Sequence, residues 1–190
     1  QADRVLRDTY CVSPARRRLA LESAEAGLRA KRGLRPEEIS LYVGIPFCPT
    51  RCAYCSFVSR TTGRSGGLLE PYLDALEQEI VLTGKLLANS PFRLRTLYIG
   101  GGTPTTLSAA QLTRLITALK THLDLSECLE FTVEGGRPDT LDPEKLQALR
   151  SLGVNRMSIN PQSLQEPVLK ACGRPHTAAD IFRVYDEAVQ

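Results

Sequence analysis

Nowhere in this sequence does an apolar run approach the roughly 20 residues needed to span a bilayer, so no membrane span is expected. The first thirty residues lack the apolar stretch of a secretory leader. A cytoplasmic location is therefore expected, although the chain opens on Gln1 rather than Met and an upstream segment is expected with it. Charge of one sign is also missing. The 24 Lys and Arg residues are interspersed with 21 acids, giving a net charge of +3, too small to point to nucleic acid. The basic runs Arg16-Arg17-Arg18 and Arg29 to Arg35 read as solvated faces. Spread cysteine pairs are absent as well. Of six cysteines, Cys48, Cys52 and Cys55 crowd into one short stretch while Cys11, Cys128 and Cys172 stand apart. That crowding argues against a disulfide framework and for a metal or cluster site in a reducing compartment.

With 42% hydrophobic residues, the chain can bury one core. Helix formers and spaced leucines predict a helix over residues 19–30, ended by Gly33 and Pro36. Residues 39–45 read as a short buried strand, and the Ser, Thr and Gly-rich residues 59–67 as an exposed loop. A helix follows over about 71–87, with Leu73, Leu76, Ile80 and Leu87 at helical spacing. The cycle then repeats three times. A strand at 96–99 precedes a helix capped by Ser108 and running to His122; a strand at 129–133 precedes a helix capped by Asp142 and closed by Gly153; a strand at 154–159 precedes a helix opening at Thr177. Four strand-helix units imply a parallel α/β sheet, doubly wound or barrel-shaped. The one boundary in view, near residues 33–38, sets a helical segment 1–38 before a core 39–190.

In such sheets the loops leaving the C-terminal strand ends carry the ligands. Every unusual motif falls on one of them: Cys48-Pro49-Thr50-Arg51-Cys52-Ala53-Tyr54-Cys55, Gly100-Gly101-Gly102-Thr103-Pro104, Glu134-Gly135-Gly136-Arg137 and Asn160-Pro161-Gln162-Ser163. Three intervening residues and then two let one tight loop set three thiolates around a [4Fe–4S] cluster. One iron then stays open to chelate S-adenosylmethionine, and an electron from the cluster can cleave a carbon–sulfur bond to give a 5′-deoxyadenosyl radical. The alternative, a structural zinc site, needs a fourth ligand, and neither His122 nor His176 is near in sequence.

The run Tyr42-Val43-Gly44-Ile45-Pro46-Phe47-Cys48, continued through the cysteines, resembles the signature of the oxygen-independent coproporphyrinogen III oxidase branch of radical S-adenosylmethionine enzymes. The resemblance extends over about residues 41–177, and residues 131–139 and 158–162 are similar to the coproporphyrinogen dehydrogenase-like HemZ group. It implies a partial parallel (β/α)6 TIM-like barrel of the radical SAM type, with four βα units here. The core is then cut short at its C-terminus, and residues 1–38 are the end of an upstream region. It implies Cys48, Cys52 and Cys55 as cluster ligands, and Tyr54, Gly101, Gly102, Thr103, Glu134, Gln162 and Arg174 as contacts to S-adenosylmethionine. Within that set, Tyr54 lies by the adenine, the glycine loop takes the methionine amino group, Glu134 the ribose hydroxyls and Arg174 the carboxylate. Tyr42 is the one candidate for a catalytic role, the substrate side otherwise lying outside the chain. The implied activity is decarboxylation of coproporphyrinogen III to protoporphyrinogen IX with a tetrapyrrole substrate and a separate electron donor. A haem carrier that keeps the cluster, or another radical enzyme acting on a tetrapyrrole, is the alternative. Gly44 stands where the typical oxidase has His, and Phe57 where it has a fourth Cys, a residue shared with haem-trafficking members.

Overall fold

The computed structural model describes residues 1–190, which form two units, Gln1–Glu38 and Ile39–Gln190. In the first, α1 (Ala2–Asp8) precedes α2 (Pro14–Lys31). Arg17 ties them, donating to Asp3 and to the Val12 carbonyl, each at 2.8 Å. The apolar spacing marks only the later part of α2. The helix starts at Pro14 because a proline's fixed φ suits a first helical turn, where its missing N–H goes unneeded. The short α1 carries no apolar period to announce it.

The second unit is built on β1 (Glu38–Ile45), which leads through Pro46 into β2 (Phe47–Cys48). After the cysteine loop come β3 (Arg60–Thr61), α3 (Thr62–Ser65) and α4 (Leu69–Ala88). Then follow β4 (Arg93–Gly101), α5 (Ala109–His122), β5 (Glu130–Glu134), α6 (Pro143–Ser151), β6 (Arg156–Ser158), α7 (Glu166–Ala171) and α8 (Ala178–Val189). The main sheet has the order β1-β4-β5-β6. The last two pairings are parallel, with Tyr98 beside Thr132 and Glu134 beside Ser158. The first is parallel too: Thr96 bonds Ser40 at one end, and Gly102 N–H donates to the Ile45 carbonyl at the other. Strands in sequential order joined by helices make a partial α/β barrel.

Alternation along the strands divides the sheet into two faces. Val43, Ile45, Leu97, Ile99, Phe131 and Val133 point to one, where Leu73, Leu76 and Ile80 of α4 and Leu112, Leu115, Ile116 and Leu119 of α5 complete the core. Each such side chain removed from water contributes about 1.5–3 kcal/mol. Outside this core, Arg114 of α5 bridges Glu70, Asp74 and Glu77 of α4 at 3.1, 2.6 and 2.6 Å. The opposite face carries Tyr42, Tyr98, Thr132, Glu134 and Ser158. The first strand is thus not buried on both sides as its apolar run suggests, and Tyr42 is 55% exposed.

Two further expectations are corrected. Residues 59–67 are not all exposed loop, because the Arg60 N–H donates to the Pro46 carbonyl at 2.8 Å and pulls the chain into the parallel β2–β3 pair. The fourth strand is only Arg156–Ser158. Val154 N–H closes the end of α6 on the Leu149 carbonyl, while the Asn155 side chain bonds the backbone of Phe131 and Leu129.

Candidate functional site

All four unusual motifs lie at the C-terminal ends of β1, β4, β5 and β6, on one rim of the sheet. The glycine loop after β4 is pressed onto the strand leading to the cysteines: Gly102 N–H donates to Ile45 and Thr103 N–H to Phe47, both at 2.8 Å. A Cβ on Gly101 would stand 2.8 Å from the Ile45 backbone, and one on Gly102 2.7 Å from the Phe47 carbonyl and 2.8 Å from Cys48 Sγ. Gly101 is also left-handed, at φ 120°, so only glycine fits here. Cys48 is buried, and Thr103 Oγ1 donates toward its sulfur at 3.5 Å.

The other two thiols follow on a half-buried turn in which Cys55 N–H donates to the Cys52 carbonyl and Ala53 N–H to the Cys172 carbonyl, each at 3.1 Å. No three His, Cys, Asp or Glu side chains close around a single point. The loop supplies three free thiols, one short of the four ligands that a closed structural zinc site takes, and thiolates are the donors an iron–sulfur cluster uses.

Two arginines grip this loop. Arg174, 8% exposed, donates from Nε to the Tyr54 hydroxyl at 3.2 Å and from Nη1 to the carbonyls of Asn160 and Gly136 at 3.1 and 3.4 Å. Its Nη2 has no protein acceptor. Arg137, 2% exposed, donates to Asp139 through Nε and Nη2 at 3.1 and 2.9 Å, and through Nη1 to the hydroxyl and carbonyl of Thr50 at 2.7 and 3.3 Å. Arg137 stands in the Glu134 to Arg137 motif with no role assigned to it. The available signal was Arg137-Pro138-Asp139, a proline-started single turn that sets an arginine and a carboxylate on one side.

On the open sheet face Tyr42 and Tyr98 stack, with ring centroids 5.7 Å apart and planes at 11°. A Cβ on Gly100 would meet Tyr98, the Tyr42 hydroxyl and Glu134 Oε2, so these three groups converge over that glycine. Burial first, then the Glu134 carboxylate, raise both phenols above their ordinary range and keep them protonated donors. Asn160 Nδ2 donates to Glu134 Oε1 at 3.3 Å while the Asn160 carbonyl accepts from Arg174. Asn160, given no role by the sequence, thus joins the two residues that were given one. Gln162 is not brought to the others. It stays exposed on left-handed backbone, φ 62°, in the loop leaving the short edge strand β6.

A parallel partial barrel with a three-thiol loop and a glycine cradle on its C-terminal rim defines the class: an α/β protein built to hold a ligand group at the strand ends. The Radical SAM superfamily profile matches residues 42–190. The chain belongs to the radical SAM superfamily, and its cofactors are those of that superfamily, a [4Fe–4S] cluster and S-adenosylmethionine. It is 37% identical over 188 residues to the oxygen-independent coproporphyrinogen-III oxidase-like protein HemZ of Bacillus subtilis, covering 97% of this chain and 38% of that one. To the heme chaperone HemW of the same organism it is 40% identical over 153 residues, covering 78% and 38%. The solved structure of coproporphyrinogen III oxidase (HemN) from Escherichia coli superposes with a TM-score of 0.72 at 32% identity, covering 87% of this chain and 37% of that one. The chain spans less than two fifths of the length of these relatives. No helix is long and apolar enough to cross a membrane.

Proposed function

We propose that these residues form the cofactor-binding part of an oxygen-independent coproporphyrinogen III decarboxylase, with a tetrapyrrole as substrate and a separate reductant. Cys48, Cys52 and Cys55 hold three irons, and the fourth is left to S-adenosylmethionine. When bound, the two cofactors supply a carbon radical that takes one hydrogen atom from a propionate side chain, which loses carbon dioxide and passes one electron to an acceptor as it becomes a vinyl group.

The chain's own groups bind and orient. Gly101 and Gly102 let their loop close onto the strand leading to Cys48, where it receives the methionine amino group, and Thr103 donates toward the sulfur of Cys48. The open Nη2 of Arg174 pairs with a carboxylate while its other N–H groups hold the loop, a task suited to a rigid fork. Glu134, oriented through one oxygen by Asn160, offers the other to ribose hydroxyls. Tyr54 flanks the adenine. Tyr42, stacked on Tyr98, presents a protonated phenol on the face where substrate would lie.

The observation that carries this reading is the glycine cradle against Cys48, a close backbone approach beside a thiol that a Cβ would destroy. The test is an anaerobic assay of the full-length protein with coproporphyrinogen III, S-adenosylmethionine and a chemical reductant, followed by porphyrin analysis. Protoporphyrin and carbon dioxide formation support the proposal; a full-length protein with its cluster intact that releases neither overturns it. One observation favours the second reading, a haem carrier. Phe57 replaces the oxidase's fourth Cys and is 49% exposed, an apolar ring open beside the cysteine loop. Stoichiometric haem binding without turnover supports the carrier.

A further inference from the structure

We propose that Arg137, locked by Asp139, is a positioning residue for the iron–sulfur cluster, fixing the distance between Cys48 and Cys52 by holding Thr50 between them. This rests on the cysteine assignment above and deepens it. A guanidinium buried to this degree is costly unless fully paired. Of its five N–H groups, two go to Asp139 and two to Thr50, the midpoint of the first cysteine spacing, so one carboxylate and one loop residue take nearly all of its pairing.

The carboxylate is itself confined. Asp139 Oδ1 lies 3.5 Å from Nδ1 of His176, whose side chain is wholly buried and makes no hydrogen bond through either nitrogen. The Thr140 hydroxyl donates to the Arg137 carbonyl at 2.8 Å, and Lys145 Nζ donates to the carbonyls of Thr105 and Thr140 at 2.9 and 2.8 Å. The β5 loop is thereby anchored to the β4 loop as well as to the cysteines. Nothing in the aliphatic core asks for a cation here, and the contact spans 87 residues of sequence to reach an exposed threonine. With Arg174 on Tyr54, the loop is held at both ends: one arm between the first two thiols, the other just before the third.

Arg137→Gln, Arg137→Lys and Thr50→Val separate this role from a general structural one. In the cluster-free chain, hydrogen exchange is read at the Ala53 and Cys55 amides, which donate within the site. After anaerobic reconstitution, iron loss to a ferrous chelator and the line shape of the reduced cluster's electron paramagnetic resonance spectrum are read. Arg137→Gln is expected to speed exchange at both amides, to release iron roughly tenfold faster, as loss of a charged hydrogen bond implies, and to broaden the spectrum. Thr50→Val should move the same readouts less, and Arg137→Lys should restore them in part. Wild-type exchange, release and line shape in folded Arg137→Gln and Thr50→Val would overturn the proposal. If Arg137→Gln fails to fold, Thr50→Val decides by the same readouts, its side chain being exposed. A Cys52→Ala chain that keeps its iron would count against the cysteine assignment instead, because the exchange measurement needs no cluster.

Discussion

Arg174 Nε donates to the Tyr54 hydroxyl at 3.2 Å, linking the turn after α7 to the residue just before the third thiol. Burial raises the Tyr54 phenol and Arg174 opposes that rise, so the phenol stays protonated and accepts the arginine's hydrogen through its oxygen. One guanidinium therefore shapes the cysteine loop and still has an uncommitted edge.

Arg174→Ala and Glu134→Gln should weaken S-adenosylmethionine binding by roughly one to two decades, the loss of about 1.5–3 kcal/mol expected of a charge-assisted hydrogen bond. Cluster absorbance should persist in Glu134→Gln, which leaves the arginine grip on the cysteine loop in place. Anaerobic equilibrium dialysis of reconstituted protein measures the affinity, and unchanged binding in both variants would remove the two residues from the cofactor site.

Gly102→Ala should destabilise the unit by about 1–3 kcal/mol and impair cluster uptake, because its methyl group would meet the Phe47 carbonyl and Cys48 Sγ at 2.7 and 2.8 Å. Gly27→Ala is the control. Its Cβ meets nothing within 4 Å in the middle of α2, and alanine there should raise helix stability by up to about 1 kcal/mol. Thermal melts report both; equal effects would mean the cradle is not tight.

The four strand-helix units were legible because helix caps and apolar spacing are local: Ser108 and Asp142 cap where their side chains predict, on Gln111 and Lys145 N–H. The cysteine loop was legible from spacing. What was not legible depends on distant partners. β2 and β3 are two residues each and have no period, α7 is a six-residue helix, and Arg137 looks like any loop arginine until Thr50 folds back onto it. The open sheet face was hidden because Leu41, Tyr42 and Val43 read as one apolar run, while only alternation tells which of them meets the helices.

Asp180 closes the capping box at the start of α8, three residues after the N-cap Thr177, and accepts the Thr177 N–H and hydroxyl at 2.9 and 2.8 Å. The backbone bond, then the side-chain bond, lower its pKa from the ordinary value. A carboxyl depressed in the folded state stabilises above its unfolded pKa and loses that contribution as pH falls through the folded one. Asp180→Asn should therefore melt lower near neutrality, by about 0.3–1 kcal/mol, the screened contribution of a carboxylate in an exposed first helical turn. The gap to wild type should close below a pH of about 4. A gap that persists in acid would show that the cap does not act through its charge.

In the proposed site three thiols, and no others, hold a cluster with one iron open. Anaerobic reconstitution of six single Cys→Ala chains, read by iron and sulfide content and by electron paramagnetic resonance with and without S-adenosylmethionine, tests it most directly. Cys48→Ala, Cys52→Ala and Cys55→Ala should each lose the cluster. Cys11→Ala, Cys128→Ala and Cys172→Ala should keep it and still show a spectrum that S-adenosylmethionine alters. If any of the last three abolishes the cluster as fully as Cys52→Ala, or if S-adenosylmethionine leaves the wild-type spectrum unchanged, Cys48, Cys52 and Cys55 are not the ligands of an open-iron cluster.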